Sequence, residues 1–180
     1  MPIPTAWTVP DVLSAGDASA LIEHIEALGP EAAPITTSRG FEMRPDIRNN
    51  TRVIFDDPGL AAALFERVRR SIQGSVPGWT PVGLNERFRC YRYRPGEYFA
   101  PHYDGAFHRS AEERSLITVM VYLNADFTGG ETNFPDIDVA IKPVTGSAPL
   151  FWHRQLHEGA AVRSGTKYIL RSDVMYRRST

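Results

Sequence analysis

The segment PHYDG sets an imidazole and a carboxylate two positions apart, so that in a strand or at its edge His102 and Asp104 project to the same side and converge. A third donor turns such a pair into a metal site, and HRQLHEG offers His157 several strands downstream. Two histidines and one carboxylate occupy one face of an octahedral Fe(II) and leave the opposite positions to a chelating co-substrate and O2. His-X-Asp alone is weak evidence, because a chain with 5 histidines and many aspartates produces it by chance. The competing reading is a turn in which Asp104 accepts backbone hydrogen bonds ahead of Gly105 and His102 is an ordinary strand-edge side chain. Lys167 adds context. It starts the apolar run KYILRSDVMY, where an inward-pointing cation needs a buried anion and a dicarboxylate would supply one. Its plainer reading is a solvated residue at a strand start.

The elements that must position these residues read as strands. From Asn85 onward the chain is cut into runs rich in aromatic and β-branched residues: NERFRCYRYR, SLITVMVYLN, DVAIKP, APLFW, AAVRS and KYILRSDVMY. About six to eight short strands without intervening helices indicate a mainly β antiparallel sandwich or barrel. Two helices precede them and should pack on an outer face. The first is expected to start with Asp17 as N-cap and to carry Leu21, Ile22, Ile25 and Leu28 on one side before Gly29 and Pro30 stop it. The second opens at Asp57-Pro58 and aligns Leu60, Leu64, Val68 and Ile72. Between them lies a polar, irregular segment with Arg44, Arg48, Asn49, Asn50 and Arg52, ending in RVIF, a short strand; such loops often carry specificity. No repeat, low-complexity tract or linker interrupts the chain. It reads as one domain, with residues 1–80 as helical support and substrate loop and 84–176 as the strand core.

With 180 residues, 42% hydrophobic and 23% charged, the chain has enough material for one sizeable core. Twenty basic against 21 acidic residues leave a net charge of −1, which argues against nucleic-acid or anionic-membrane partners. A single cysteine, Cys90, excludes an internal disulfide framework and fits a reducing compartment. The start MPIPTAWTVPDVL lacks a basic region followed by an apolar run, and no stretch approaches the roughly 18 apolar residues of a membrane span. A cytoplasmic, soluble protein is expected, with its oligomeric state open.

The stretches YRPGEYFAPHYDG, TVMVYLN, GGETNFP, IKPVTGSAPLFWH and HEGAAVRSGTKYIL together resemble the catalytic domain of prolyl 4-hydroxylase-type 2-oxoglutarate oxygenases, over residues 84–176. His-X-Asp, Gly-Gly-Glu-Thr, the distal histidine and the later lysine occur in matching order and spacing. The resemblance implies a double-stranded β-helix, a jelly roll with the metal at its open end. It makes His102, Asp104 and His157 the catalytic Fe(II) ligands and Lys167 the ion-pair partner of the distal carboxylate of 2-oxoglutarate. Tyr93 and Thr132 match positions that hydrogen-bond that carboxylate, and Tyr122 matches a co-substrate contact in some members. The implied reaction uses O2, with ascorbate as a supporting reductant, and hydroxylates an unactivated C–H bond while 2-oxoglutarate becomes succinate and CO2. A carboxylate at Asp104 argues for hydroxylation over halogenation, which needs that position free for halide.

On the substrate side the chain departs from the pattern. Phe99 replaces a tyrosine of the peptide prolyl hydroxylases, Ser115 stands where they can carry an arginine, and Asp173 stands where a tryptophan is common. Arg114 should face away from Ser115. Lys167, Ile169, Arg171 and Asp173 share one strand parity, as do Arg89, Tyr91 and Tyr93, so Arg89, Tyr91, Phe99, Arg171 and Asp173 form the candidate substrate wall. The alternative leaves the outer arginines solvated. Such a wall suits a small polar metabolite, an amino acid or a peptidyl residue. His108 and His153 read as bystanders and His24 as structural. Two other functions compete: a cupin-like metalloprotein without redox chemistry, and a sensor domain that has lost turnover.

Overall fold

The computed structural model describes residues 5–179. The chain runs β1 (Ala6–Val9), α1 (Ala15–Leu28), β2 (Glu31–Ala32), β3 (Ile35–Thr37), β4 (Gly40–Glu42), β5 (Thr51–Asp56), α2 (Pro58–Val68), β6 (Trp79–Leu84), β7 (Arg87–Tyr93) and β8 (Phe99–His102). It continues β9 (His108–Ser110), β10 (Glu113–Tyr122), β11 (Thr128–Gly129), β12 (Thr132–Phe134), β13 (Val139–Ile141), β14 (Ala148–Trp152), β15 (His157–Gly159), β16 (Val162–Ser164) and β17 (Lys167–Arg178). No helix among these residues is long and apolar enough to cross a membrane.

Both helices form where their caps dictate. In α1 the N-cap is Ser14, whose Oγ accepts from the Asp17 backbone N–H at 3.0 Å. Asp17, expected as the cap, sits instead in the first turn, where a carboxylate meets the positive end of the helix dipole. Gly29, at φ 73°, ends the helix in the left-handed conformation that a side chain would oppose. Ala18 and Ile25 are buried, Leu21 and Ile22 partly so, while Leu28 stays exposed at 47%. Asp57 caps α2 by accepting from Leu60 N–H at 2.9 Å with Pro58 in the first turn, and Leu64 and Val68 are buried.

The large antiparallel sheet has the order β1-β14-β10-β17-β7-β5-β2, with β6 also paired to β17 and β9 to β10. A smaller sheet has the order β13-β12-β15-β8. Strand alternation divides the side chains of the large sheet between two cores. Phe88 and Cys90 of β7, Val119 and Val121 of β10 and Leu170 of β17 pack toward the helices with Ala18, Ile25, Leu64 and Val68. Tyr91 and Tyr93, Met120 and Tyr122, and Ile169 from the same strands point the other way, against Phe134 of the small sheet and Phe151. This is the jelly roll, with the helices sealing its outer face. Each large apolar side chain so buried contributes about 1.5–3 kcal/mol; Phe88→Ala, at a position with no exposure, would cost about 3–5 kcal/mol.

The six strand runs read from the sequence all form strands, but the pairing uses more: β1, the β3–β4 hairpin, β6 and the short strands β8, β12 and β15 add to them. The segment taken as a loop before RVIF contains that hairpin, and Arg48 within it makes an isolated bridge to Phe99.

Candidate metal centre and co-substrate pocket

Antiparallel pairing of β8 and β15 sets His102 opposite His157, which brings the two imidazoles side by side with centroids 4.2 Å apart. Asp104, two residues past His102, closes the group: its Oδ2 is 3.6 Å from His157 Nε2 and its Oδ1 3.9 Å from His102 Nε2. One donor atom from each of the three lies within 4.8 Å of the others. Hydrogen bonding selects which nitrogen is free. His102 Nδ1 is 2.8 Å from the Ala100 carbonyl and His157 Nδ1 3.0 Å from the Gln155 carbonyl. A carbonyl only accepts, so each Nδ1 carries the proton and each Nε2 lone pair points to the centre.

The charge states suit a cation as well. Burial, with His157 beside it, pushes His102 down to about 4, and burial lowers His157 too, so both imidazoles are neutral near pH 7. For Asp104, burial opposes ionisation, but the Arg171 guanidinium at 3.0 Å, the two histidines and the Thr118 hydroxyl outweigh it. Its carboxyl is held well below the usual range. Phe99 stacks on His102 at 3.5 Å between centroids, and Phe151 packs on His157 at 4.4 Å, which fixes both rings.

Behind Asp104 runs a chain of hydrogen bonds. Thr118 Oγ1 donates to Asp104 Oδ2 at 2.6 Å and pairs with His153 Nδ1 at 3.0 Å, while His153 Nε2 pairs with Ser115 Oγ at 2.8 Å. An ionised Asp104 only accepts, so Thr118 gives it its one proton and must accept from His153 Nδ1, which leaves Nε2 to accept the Ser115 proton; Ser115 Oγ also accepts from Phe107 N–H. The tautomer follows: His153 donates from Nδ1 to Thr118, which donates to Asp104. His153, read as a bystander from the sequence, thus supports the carboxylate. His108 is exposed, and His24 packs edge-on against Phe55.

Three rungs across the large sheet line the cavity. Lys167 lies opposite Tyr93, Ile169 opposite Tyr91, and Arg171 opposite Arg89, while on the other flank Ile169 and Arg171 face Tyr122 and Met120. Tyr91, Tyr93, Phe99, Thr132, Lys167 and Arg171 line the pocket together with the three candidate ligands. Lys167 is 1% exposed, and among the described residues it forms no ion pair; its Nζ donates to the Gly130 carbonyl at 2.6 Å and sits 5.2 Å from the Tyr93 ring centroid. Burial, partly offset by Glu131, pushes it down to about 7. Gly129 and Gly130 both have positive φ, and a Cβ on Gly129 would stand 2.4 Å from the Ala161 carbonyl, so the Gly-Gly pair lets the chain close on β16 beside Lys167. Tyr122 is fully buried and does not line the pocket; its hydroxyl reaches Thr132 Oγ1 at 2.6 Å.

A groove of about 560 Å³ opens beside this pocket and shares Tyr91, Phe99, His102, Asp104 and Arg171 with it. Asp173 does face inward, as parity demands, and is met by Arg171 at 3.2 Å and Arg89 at 3.5 Å. Arg114 stacks on Trp79 at 4.3 Å. The groove's other wall holds Arg48 and Arg52 from the segment before β5 and within it. Arg48 and Asn50, left in an unresolved polar segment by the sequence reading, are buried.

Residues 88–172 match the model of the 2OG-Fe(II) oxygenase superfamily, the segment that holds the triad and Lys167. That segment is just under half of the chain, and over it the chain is similar to the superfamily. Prolyl 4-hydroxylase 1 of Arabidopsis thaliana is 25% identical over 175 residues, covering 81% of this chain and 61% of the relative. The chain spans less than two thirds of the length of the curated relatives it matches. Among solved structures, a viral collagen prolyl hydroxylase of Paramecium Bursaria Chlorella virus-1, in complex with 2OG, superposes with TM-score 0.64 and 24% identity over 97% of both chains. A prolyl-4-hydroxylase of Pseudomonas putida gives TM-score 0.66 and 19% identity, over 98% of this chain and 94% of that one. At those identities the two structures bear on the fold, which is theirs.

Proposed function

We propose that this protein is an Fe(II)- and 2-oxoglutarate-dependent dioxygenase that hydroxylates a C–H bond of a small polar metabolite, an amino acid or a peptidyl residue. The observation that carries the reading is Lys167: a buried amine that forms no ion pair among the described residues, lining the same pocket as three converging donors. His102, Asp104 and His157 fit Fe(II) through two neutral Nε2 atoms and one ionised carboxylate, a donor set suited to an open iron site. Lys167, with Thr132 and Tyr93 beside it, fits the distal carboxylate of 2-oxoglutarate. Once bound, the iron and the oxo acid supply the oxidation, in which O2 gives one oxygen atom to succinate as CO2 leaves and the other to the substrate C–H bond.

The chain's own part is positioning and shielding. A dicarboxylate beside Lys167 would restore its full charge, because an adjacent anion favours the protonated ammonium. Met120 and Ile169 give the pocket apolar lining, which disfavours water beside the reacting groups. Thr118 and His153 hold Asp104 so that its oxygens face the two Nε2 atoms. Ascorbate would serve as supporting reductant, and the lone, buried Cys90 suits a cytoplasmic setting. Peptidyl proline enters as the alternative substrate, from the names of the relatives.

The test is anaerobic addition of Fe(II) and 2-oxoglutarate, read as the weak visible band of a chelated oxo acid, then O2 uptake matched to succinate release. A non-redox cupin-like protein would bind metal and give neither.

A further inference from the structure

The groove outside the pocket carries charge that the oxidation does not use. Arg171 lies 3.0 Å from Asp104 and 3.2 Å from Asp173, and Arg89 lies 3.5 Å from Asp173. Those two cations and two carboxylates balance. Arg48 and Arg52 remain, and among the described residues neither forms an ion pair.

Arg48 is the more unusual of the two. It is 4% exposed, with its guanidinium 4.4 Å from the Tyr91 ring centroid and 4.3 Å from that of Phe99. Its Nε donates to Asn50 Oδ1 at 2.7 Å, but its Nη2 is buried with no partner. Arg171 Nε, on the same groove, is buried without a hydrogen-bond partner as well, and Arg89 Nη1 has only its 3.5 Å ion pair with Asp173. Burying a guanidinium without an anion is costly, and a donor left unpaired adds to that cost. The fold holds this arrangement from both sides, through the aromatic pair and through the bridge from Arg48 to Phe99. An anion supplied from outside would relieve it. The position is close to the chemistry, since the Phe99 ring under Arg48 is the one stacked on His102.

We propose that Arg48, with Arg52 at the rim, binds a carboxylate of the primary substrate, so that the substrate is a small carboxylic acid, free amino acids included. This deepens the dioxygenase reading and rests on it. The planar fork of arginine takes a carboxylate through two parallel hydrogen bonds, and stacking between two rings fixes the plane of that fork. Lys167 holds the co-substrate's anion in the inner pocket, so the two acids do not compete for one cation.

The test uses matched probes: free amino acids, their primary amides, and phosphate monoesters of the corresponding amino alcohols. Binding is read by saturation-transfer NMR on protein loaded with Zn(II) and 2-oxoglutarate, and turnover by mass gain of one oxygen atom in the Fe(II) enzyme. Carboxylates should bind and amides should not, and Arg48→Gln should weaken the best carboxylate about 10-fold to 100-fold. Arg52→Gln, at a partly exposed strand position, should weaken it less while keeping the fold, which covers the case in which Arg48→Gln does not fold. Equal binding of amides, binding of phosphates alone, absence of any carboxylate binding, or no loss in Arg52→Gln when Arg48→Gln is unfolded overturns the proposal. The Fe(II) and 2-oxoglutarate band, recorded without substrate, separates the two readings: with the band present and no carboxylate selection, only the groove assignment fails; with the band absent, the dioxygenase reading fails.

Discussion

The inner pocket and the outer groove share a wall yet are built in different ways. The pocket stands on regular strands: Lys167 faces Tyr93, Ile169 faces Tyr91, and His102 faces His157, each as a rung of an antiparallel ladder. Rungs alternate in and out, so the positions of the pocket residues on β7 and β17 follow from their parity. The groove is closed by short or irregular pieces: the start of the β3–β4 hairpin at 34–36, residues 47–48 with Arg52 at the start of β5, and the loop 103–107. Its charges are set by what the backbone happens to bring together. The difference predicts separable failures: lesions in the pocket remove iron or co-substrate, while lesions in the groove remove the primary substrate and leave co-substrate chemistry uncoupled.

The largest effect breaks the comparison outright. His157→Ala removes one of three protein donors, and losing a ligand costs more than the roughly 10-fold to 100-fold of a supporting residue. The anaerobic Fe(II) and 2-oxoglutarate band should disappear. A band of unchanged intensity would take His157 out of the site. Lys167→Met is milder and more selective: removing one partner of a buried charge pair should raise the KM for 2-oxoglutarate about 10-fold to 1000-fold, with iron affinity nearly unchanged. A KM within about twofold of the wild type would place the anchor elsewhere, with Arg163 or Arg171 next in line.

The same division decides what could be read from the sequence. Lys167, Arg171 and Asp173 were assigned to one face because β17 is an unbroken ladder over that stretch, and Tyr91 and Tyr93 because β7 is. The cap of α1 was misplaced because Ser14 and Asp17 are both good N-cap residues, and only the hydrogen bond between them tells which is outside the helix. The supporting role of His153 is not legible in the sequence, for a clear physical reason. Its partners Ser115 and Thr118 are three apart and should face opposite ways, but a register shift between Ser115 and Ile117 puts both beside it. Arg48 lies where no alternation applies, so its burial between Tyr91 and Phe99 left no mark in the pattern. Asp173 illustrates a middle case, since parity gave its direction, while its neutralisation by both Arg171 and Arg89 required the cross-strand register.

The smallest expected effect, and the one that sharpens the comparison most, is a pH dependence present in one region and missing in the other. Burial pushes Lys167 from its ordinary 10.5 down to about 7, whereas arginines remain protonated throughout the usual range. In the protein without ligands, the unfolded chain holds the lysine proton between about pH 7 and 10.5 and the folded chain does not, so stability should rise with pH across that window. Binding of 2-oxoglutarate has the opposite sign. It requires the ammonium, so above about pH 7 each unit should weaken it about tenfold, until the pKa of the bound lysine is reached. Titrating the visible band with 2-oxoglutarate between about pH 6 and 9 reads this directly. Lys167→Arg, which keeps the charge at every pH, should flatten the curve even if its larger head lowers affinity. Binding of a carboxylate probe in the groove, held by Arg48 and Arg52, should stay level over the same range. A flat wild-type curve for 2-oxoglutarate would mean that Lys167 keeps its proton without the ligand, with Glu131 as the group that holds it.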